Sequence, residues 1–143
     1  MDNNYIFQYW EAIQNGTVTV GKWIKTIYEI LVNGLKSGKW DFDGDKANKA
    51  INFIENFCHH SEGRNDLLKL ELWQKAIVSA IFGIMDKKTG YRQFREVFIV
   101  VARKNGKTLF AAAIAAYMTY IDGEYGAKVY FLAPKLDQAD LVY

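Results

Sequence analysis

The sequence predicts an α/β fold in which N-terminal helices lead into a parallel sheet. Three observations carry that prediction. Apolar residues recur at spacings of three and four through much of the first 82 positions, the period of a helix with one buried face. The period then changes: within residues 94–102, Phe98, Ile99, Val100 and Val101 make a continuous run rich in β-branched side chains, as in a strand covered on both faces, and residues 128–133, KVYFLA, read as a second strand. Between these runs lie a glycine-containing loop and another helical stretch, and the order strand, loop, helix, strand is that of a parallel α/β unit. Two strands do not make the sheet of a doubly wound domain. The 143 residues are therefore expected to hold the first part of one, truncated after the second recognised strand, or else to complete a sheet with a partner chain.

In chain order, residues 5–14 read as a short amphipathic helix. Residues 17–35 read as a longer one, with Val20, Trp23, Ile24, Ile27, Leu31 and Leu35 as its apolar stripe, Thr17 or Thr19 as its cap, and Gly34 and Gly38 at its end. Residues 40–46, WDFDGDK, alternate aspartates as a calcium loop does. Its sixth position, however, is Lys46 instead of glycine and its twelfth is Asn52 instead of glutamate, which excludes that reading. Asp45 is expected instead to cap a helix whose buried face is Ala47, Ala50, Ile51, Ile54, Phe57 and Cys58. A polar loop at 60–66, containing Gly63, precedes a helix over 70–82 with Leu72, Ala76, Ile77, Ala80 and Ile81 inward. Residues 86–90, DKKTG, make a turn. After the strand at 94–102 come the loop and a helix over 108–121. The strand at 128–133 is then closed by Pro134, and the last residues begin another helix.

Composition narrows the class. Half of the residues are hydrophobic and 15% aromatic, enough for a core and too much for a disordered chain. The net charge of +2 is unevenly spread: between Asp86 and Lys107 seven basic groups face two acidic ones, a concentration that attracts phosphate or forms a solvated face. Cys58 is the single cysteine, so no intrachain disulfide forms. Its neighbours His59 and His60 are consecutive with it and lack the spacing of zinc ligands. The start, MDNNYIFQYW, has no basic leader followed by an apolar run, and AAAIAAYM at 111–118 is too short to span a bilayer. Neither a signal peptide nor a membrane segment is expected.

The chemistry-bearing segment is 101–108, VARKNGKT. Gly106, Lys107 and Thr108 match the end of the phosphate-binding pattern G-x-x-x-x-G-K-[ST], while its first glycine position holds Val101. The position of the segment supports it, directly between a strand and a helix, where successive backbone N–H groups and the helix N-terminus cradle phosphate. In that role Gly106 lets the backbone approach the anion, Lys107 reaches the terminal phosphates and Thr108 places its hydroxyl on magnesium. Arg103 is a candidate for stabilising charge on the γ-phosphate in cis, for pairing with an acidic side chain or for holding DNA. Lys104 and Asn105 complete the loop, Lys104 as an electrostatic contributor. The competing reading is a polar strand-to-helix turn built on Asn105-Gly106. The spacing does not separate ATP from GTP. On this reading residues 1–66 are a helical N-terminal region and 67–143 the first part of a P-loop ATPase domain with a P-loop NTPase parallel sheet.

Four segments in the same order resemble the terminase large subunits of tailed bacteriophages, the group called Terminase_1. WDFDGDKANKAINFIENFCHH is similar to the stretch ahead of that family's ATPase core, and LELWQKAIVSAIFG to the segment with its Trp-Gln pair, here Trp73 and Gln74. FIVVARKNGKTLFAAAIAAYM resembles its variant Walker A loop, which often lacks the first glycine and carries an arginine where Arg103 stands. DGEYGAKVYFLAPKLDQADLVY resembles its next strand and Gln-Ala helix, here Gln138 and Ala139. The resemblance implies an N-terminal ATPase with a C-terminal nuclease. Such a protein uses ATP and Mg2+ to drive double-stranded DNA into a procapsid through a portal protein and cuts the concatemer. It further implies a terminase small subunit as partner, a homo-oligomeric ring on the portal, work in the host cell cytoplasm and no membrane. It makes Gln74 a reader of the adenine edge, whose donor-and-acceptor pattern an amide can match. No Walker B carboxylates and no nuclease cluster occur within the 143 residues, so this polypeptide is expected to lack substantial hydrolysis alone. Two other classes stay open: a helicase-like or restriction-type P-loop ATPase, and a non-enzymatic α/β fragment that binds protein or nucleic acid.

Overall fold

The computed structural model describes residues 4–60, 66–102, 105–123, 125–130 and 132. Among them are five helices, α1 (Tyr5–Gln14), α2 (Lys22–Lys36), α3 (Gly44–Phe57), α4 (Leu72–Gly83) and α5 (Lys107–Tyr120), and two short strands, β1 (Asp41–Phe42) and β2 (Ile84–Met85). They fall into two compact units that interleave along the chain: Met1–Ile51 with Leu70–Val97, and Asn52–Lys69 with Phe98–Tyr143.

In the first unit, local capping chemistry sets the helix ends. The Asn4 side-chain oxygen accepts from Ile6 N at 3.0 Å and starts α1. Thr17 N donates to Asn15 Oδ1, so the threonines expected to cap α2 belong to the turn before it, and α2 begins after Gly21. It ends in a Schellman motif, with Lys39 N donating to Gly34 O at 2.9 Å, Gly38 N donating to Leu35 O at 3.2 Å, and Gly38 at φ 71°. Gly34 is inside the helix, not at its end; its missing side chain makes room for the Trp40 ring. At α3 the capping carboxylate is Asp43, which accepts from Lys46 N at 3.0 Å. Asp45, the expected cap, sits in the first turn, where its charge complements the helix dipole.

Helix α1 packs on both α2 and α4. The core there comprises Ile6, Tyr9, Tyr28, Leu31, Val32, Ala76 and Ile84, with the Tyr9 and Tyr28 rings edge to face at 4.8 Å. The α2 stripe is thus rotated from the one read in the sequence: Tyr28 and Val32 point inward with Leu31. Trp23, 71% exposed, lies outside with Ile24 and Ile27. Strands β1 and β2 pair antiparallel, Asp41 opposite Met85 and Phe42 opposite Ile84, and Asp43 N donates to Gly83 O at 2.7 Å. This two-residue ladder has no periodic signature and was not predicted. The DKKTG turn forms as expected: Asp86 accepts from Lys88 N and Thr89 N, both at 2.8 Å, and those bonds hold its carboxyl below the usual range.

In the second unit, α5 buries Phe110, Ala113 and Tyr117, and Tyr117 meets Phe53, which stacks on Phe57. Phe57, expected inside, is exposed, whereas Ala47, Ala50, Ile51 and Ile54 are buried as predicted. Residues 94–102 form no strand, and the described residues of 128–133 form none either. Phe98 is 93% exposed and Val100 82%, so the expected two-sided burial is not made. A strand of that composition is stabilised only when neighbours accept its backbone hydrogen bonds. Among the described residues neither run pairs with a neighbouring strand. Among the described residues the only ladder is the antiparallel β1–β2 pair.

Burial raises the Tyr28 phenol well above its ordinary value of 10.0, with the charge of Tyr9 adding to the shift, and burial raises Tyr9 as well. The folded phenols thus stay protonated where an unfolded tyrosine ionises. Their contribution to stability is fully present below pH 10 and is lost as pH rises above it. Urea midpoints measured from pH 8 to 11.5 are expected to fall above pH 10, and less steeply in Tyr28→Phe. An unchanged slope in that variant contradicts the assignment to Tyr28.

Candidate phosphate-binding site

Helix α5 opens on Gly106, which adopts φ 64° and ψ 17°. This left-handed conformation costs other L-residues about 1–2 kcal/mol, and a Cβ here meets nothing within 4 Å. The glycine therefore serves the backbone path, not packing. Phe110 N donates to Gly106 O at 2.9 Å and closes the first turn. Gly106 has no side chain to cap that turn, and no acidic residue lies in it. The amides of Lys107, Thr108 and Leu109 lie ahead of the first helical hydrogen bond, so the positive end of a 14-residue helix lacks a side-chain cap. Asn105 Nδ2 donates to Ala102 O at 3.3 Å and ties down the entry to the bend.

Lys107 and Thr108 lie on the first turn of α5 and are exposed. Among the described residues neither side chain has a hydrogen-bond or ion-pair partner. Buried Phe110, one turn on, anchors the helix that carries them. A left-handed glycine, free first-turn amides, an ammonium and a hydroxyl on consecutive positions are the groups that an anion cradle requires. The structure brings Asn105, Gly106, Lys107 and Thr108 together in this way; Arg103 and Lys104 lie outside the described residues.

Gln74 belongs to the first unit and has a structural task there. It is 8% exposed, and its Oε1 accepts from Glu71 N at 2.9 Å while the Glu71 side chain accepts from Gln74 N, a reciprocal capping box at the start of α4. Trp73 Nε1 donates to Glu71 Oε2 at 2.6 Å. Glu71 was not singled out from the sequence, although the spacing of an acceptor three residues ahead of a glutamine, just before an apolar run, carries that signal.

A family model described as the terminase large subunit ATPase domain matches residues 72–143, half of the chain, and its span includes the whole cradle. The chain belongs to the terminase large subunit ATPase-domain family. No curated protein and no solved structure is significantly similar to it. Membership gives this terminase chain a packaging-motor ATPase kind of function and implies nucleotide use and DNA-packaging partners in general. Among the described residues no helix is long and apolar enough to cross a membrane, and no group of three or more His, Cys, Asp or Glu side chains is placed to hold a metal ion.

Proposed function

We propose that residues 103–108 hold the phosphates of ATP in a variant Walker A loop. The protein to which this terminase ATPase chain belongs then couples hydrolysis to the movement of double-stranded DNA into a procapsid and cuts the concatemer with a nuclease domain. The observation that carries the reading is the left-handed Gly106 opening an uncapped helix, with Lys107 and Thr108 exposed on its first turn, inside a segment matched by the terminase ATPase family. Amides 106–109 donate to the phosphate oxygens, and the Lys107 ammonium neutralises the terminal phosphates. Arg103 stabilises charge that develops during transfer, Lys104 adds field, and Thr108 supplies one oxygen to Mg2+. Magnesium, when bound, supplies Lewis-acid neutralisation of the phosphate oxygens. Thr108 would hold this group through its exposed hydroxyl, one ligand of the several that Mg2+ takes.

The finer architecture belongs to the same proposal. The exposed apolar side chains Phe98, Val100 and Leu132 are the surfaces that strands of a parallel P-loop sheet bury, which supports 94–102 and 128–133 as its strands. The same reading takes residues 1–66 as a helical region and 67–143 as the first part of the ATPase domain. Double-stranded DNA is gripped through its phosphates, without base reading. Portal protein, terminase small subunit and a homo-oligomeric ring, in the host cell cytoplasm, complete the assembly.

Thermal melts of the chain with magnesium-ATP and magnesium-GTP test the reading. ATP is expected to raise the midpoint, since a ligand that binds only the folded state stabilises it. Gln74→Ala is expected to cost about 1 kcal/mol of stability through the lost capping box, lowering the midpoint without nucleotide, and separately to narrow the gap between ATP and GTP. An unchanged gap removes adenine reading from Gln74 and leaves it a helix cap. No response to either nucleotide favours a non-enzymatic fragment.

A further inference from the structure

The first unit carries a groove of about 910 Å³ that the phosphate site does not use. Its walls come from one face of α1, the turn after α2, strand β1 and the start of α3. Three carboxylates line it, those of Glu11, Asp41 and Asp45; among the described residues no lysine or arginine is part of its wall, while the ammonium groups of Lys36, Lys39 and Lys87 stand over Phe7, over Trp40 and beside Asp41. Three rings line it as well, those of Phe7, Trp40 and Phe42. Trp40 is wedged over Gly34 and meets Phe94 edge to face at 5.5 Å, so its ring is held in place by packing. Among the described residues Glu11 and Asp45 form no ion pair, and Asp41 has Lys87 at 3.6 Å.

We propose that this groove binds an arginine-bearing peptide segment of a partner protein. The volume lies in the range of ligand pockets and exceeds what one side chain fills. The rings suit the methylene stem and the flat face of a guanidinium, and two unpaired carboxylates suit its forked donors. The chain's own ammonium groups already sit over two of these rings, Lys36 over Phe7 at 5.9 Å and Lys39 over Trp40 at 4.9 Å, which marks the surroundings as favourable to cations. A guanidinium is preferred to an ammonium because it is planar, weakly hydrated and can engage a carboxylate through two hydrogen bonds. Asn4 is 6% exposed and lines the same groove; its Oδ1 is committed to Ile6 N, so its NH2 group is left to donate to a backbone carbonyl of the bound segment.

The test is fluorescence anisotropy on the 143-residue chain at 0.15 M salt, with a labelled five-residue peptide carrying two arginines and its lysine counterpart. The arginine peptide is expected to bind at least about tenfold tighter, as a bidentate pair is stronger than a point contact. Glu11→Gln with Asp45→Asn is expected to weaken it at least about tenfold, while Glu29→Gln on the exposed face of α2 leaves it unchanged. In the unmodified chain, amide shifts on peptide addition are expected to concentrate at Gln8 and Asn48, a readout that needs no variant to fold. Equal binding of both peptides, full competition by spermidine, binding that survives in the double variant, or shifts confined to other residues overturns the proposal.

Discussion

Lys107→Ala is expected to weaken magnesium-ATP binding by about 10- to 100-fold, the span that one or two charge-assisted hydrogen bonds command. The thermal midpoint without nucleotide should hardly move. Lys107 is exposed on the first turn of α5 and, among the described residues, has no partner to lose. That separation is the useful part of the experiment. A structural lysine would lower the midpoint, whereas a phosphate ligand lowers only the nucleotide-induced rise. Titration calorimetry on both chains reads the affinity directly, and equal affinities would remove Lys107 from the site.

Gly83→Val is expected to destabilise the first unit by about 3 kcal/mol, at the upper end of what overpacking costs. A Cβ on Gly83 falls onto the Phe42 ring and lies 3.1 Å from the Ala47 methyl. Gly83 is buried where α4 hands over to β2, and Asp43 N donates to its carbonyl at 2.7 Å, so the backbone has little room to yield. The better helix propensity of valine over glycine, a few tenths of a kcal/mol, does not offset that overlap. In a Phe42→Ala background the same substitution should cost less, because the ring that it strikes is gone, and contacting residues of this kind couple by about 0.5–3 kcal/mol. Urea midpoints of the four chains measure the coupling. Additive losses would mean that Phe42 is not the obstacle.

The helices were legible in the sequence because a period of 3.6 survives local error. Helix α4 and helix α5 fall within two residues of their predicted spans, and Ala47, Ala50, Ile51 and Ile54 are buried as read. Boundaries and facing were less legible. Asn15 draws Thr17 into a turn, and the apolar pattern of α2 holds two overlapping stripes, so Trp23 and Ile27 could be read inward as easily as Tyr28 and Val32. Packing against α1 decides between them. The β-branched runs show the reverse limit. Composition can mark a segment as strand-forming, but a strand exists only with neighbours, and pairing is a property of the whole sheet. The glycine bend into α5 was legible despite Val101, because such a turn needs only Gly106 to adopt a left-handed conformation. For Gln74 the resemblance pointed to the adenine edge, whereas the structure shows a capping bond with Glu71, which was not read from the sequence.

The most direct measurement is the backbone amide spectrum of the 143-residue chain as magnesium-ATP is added, followed by inorganic phosphate. Phosphate resting on the first turn of α5 should give the largest shifts at Gly106, Lys107, Thr108 and Leu109, smaller ones in the rest of α5, and the same four signals should respond to phosphate alone. Those four amides staying fixed while nucleotide perturbs other residues would contradict the phosphate cradle.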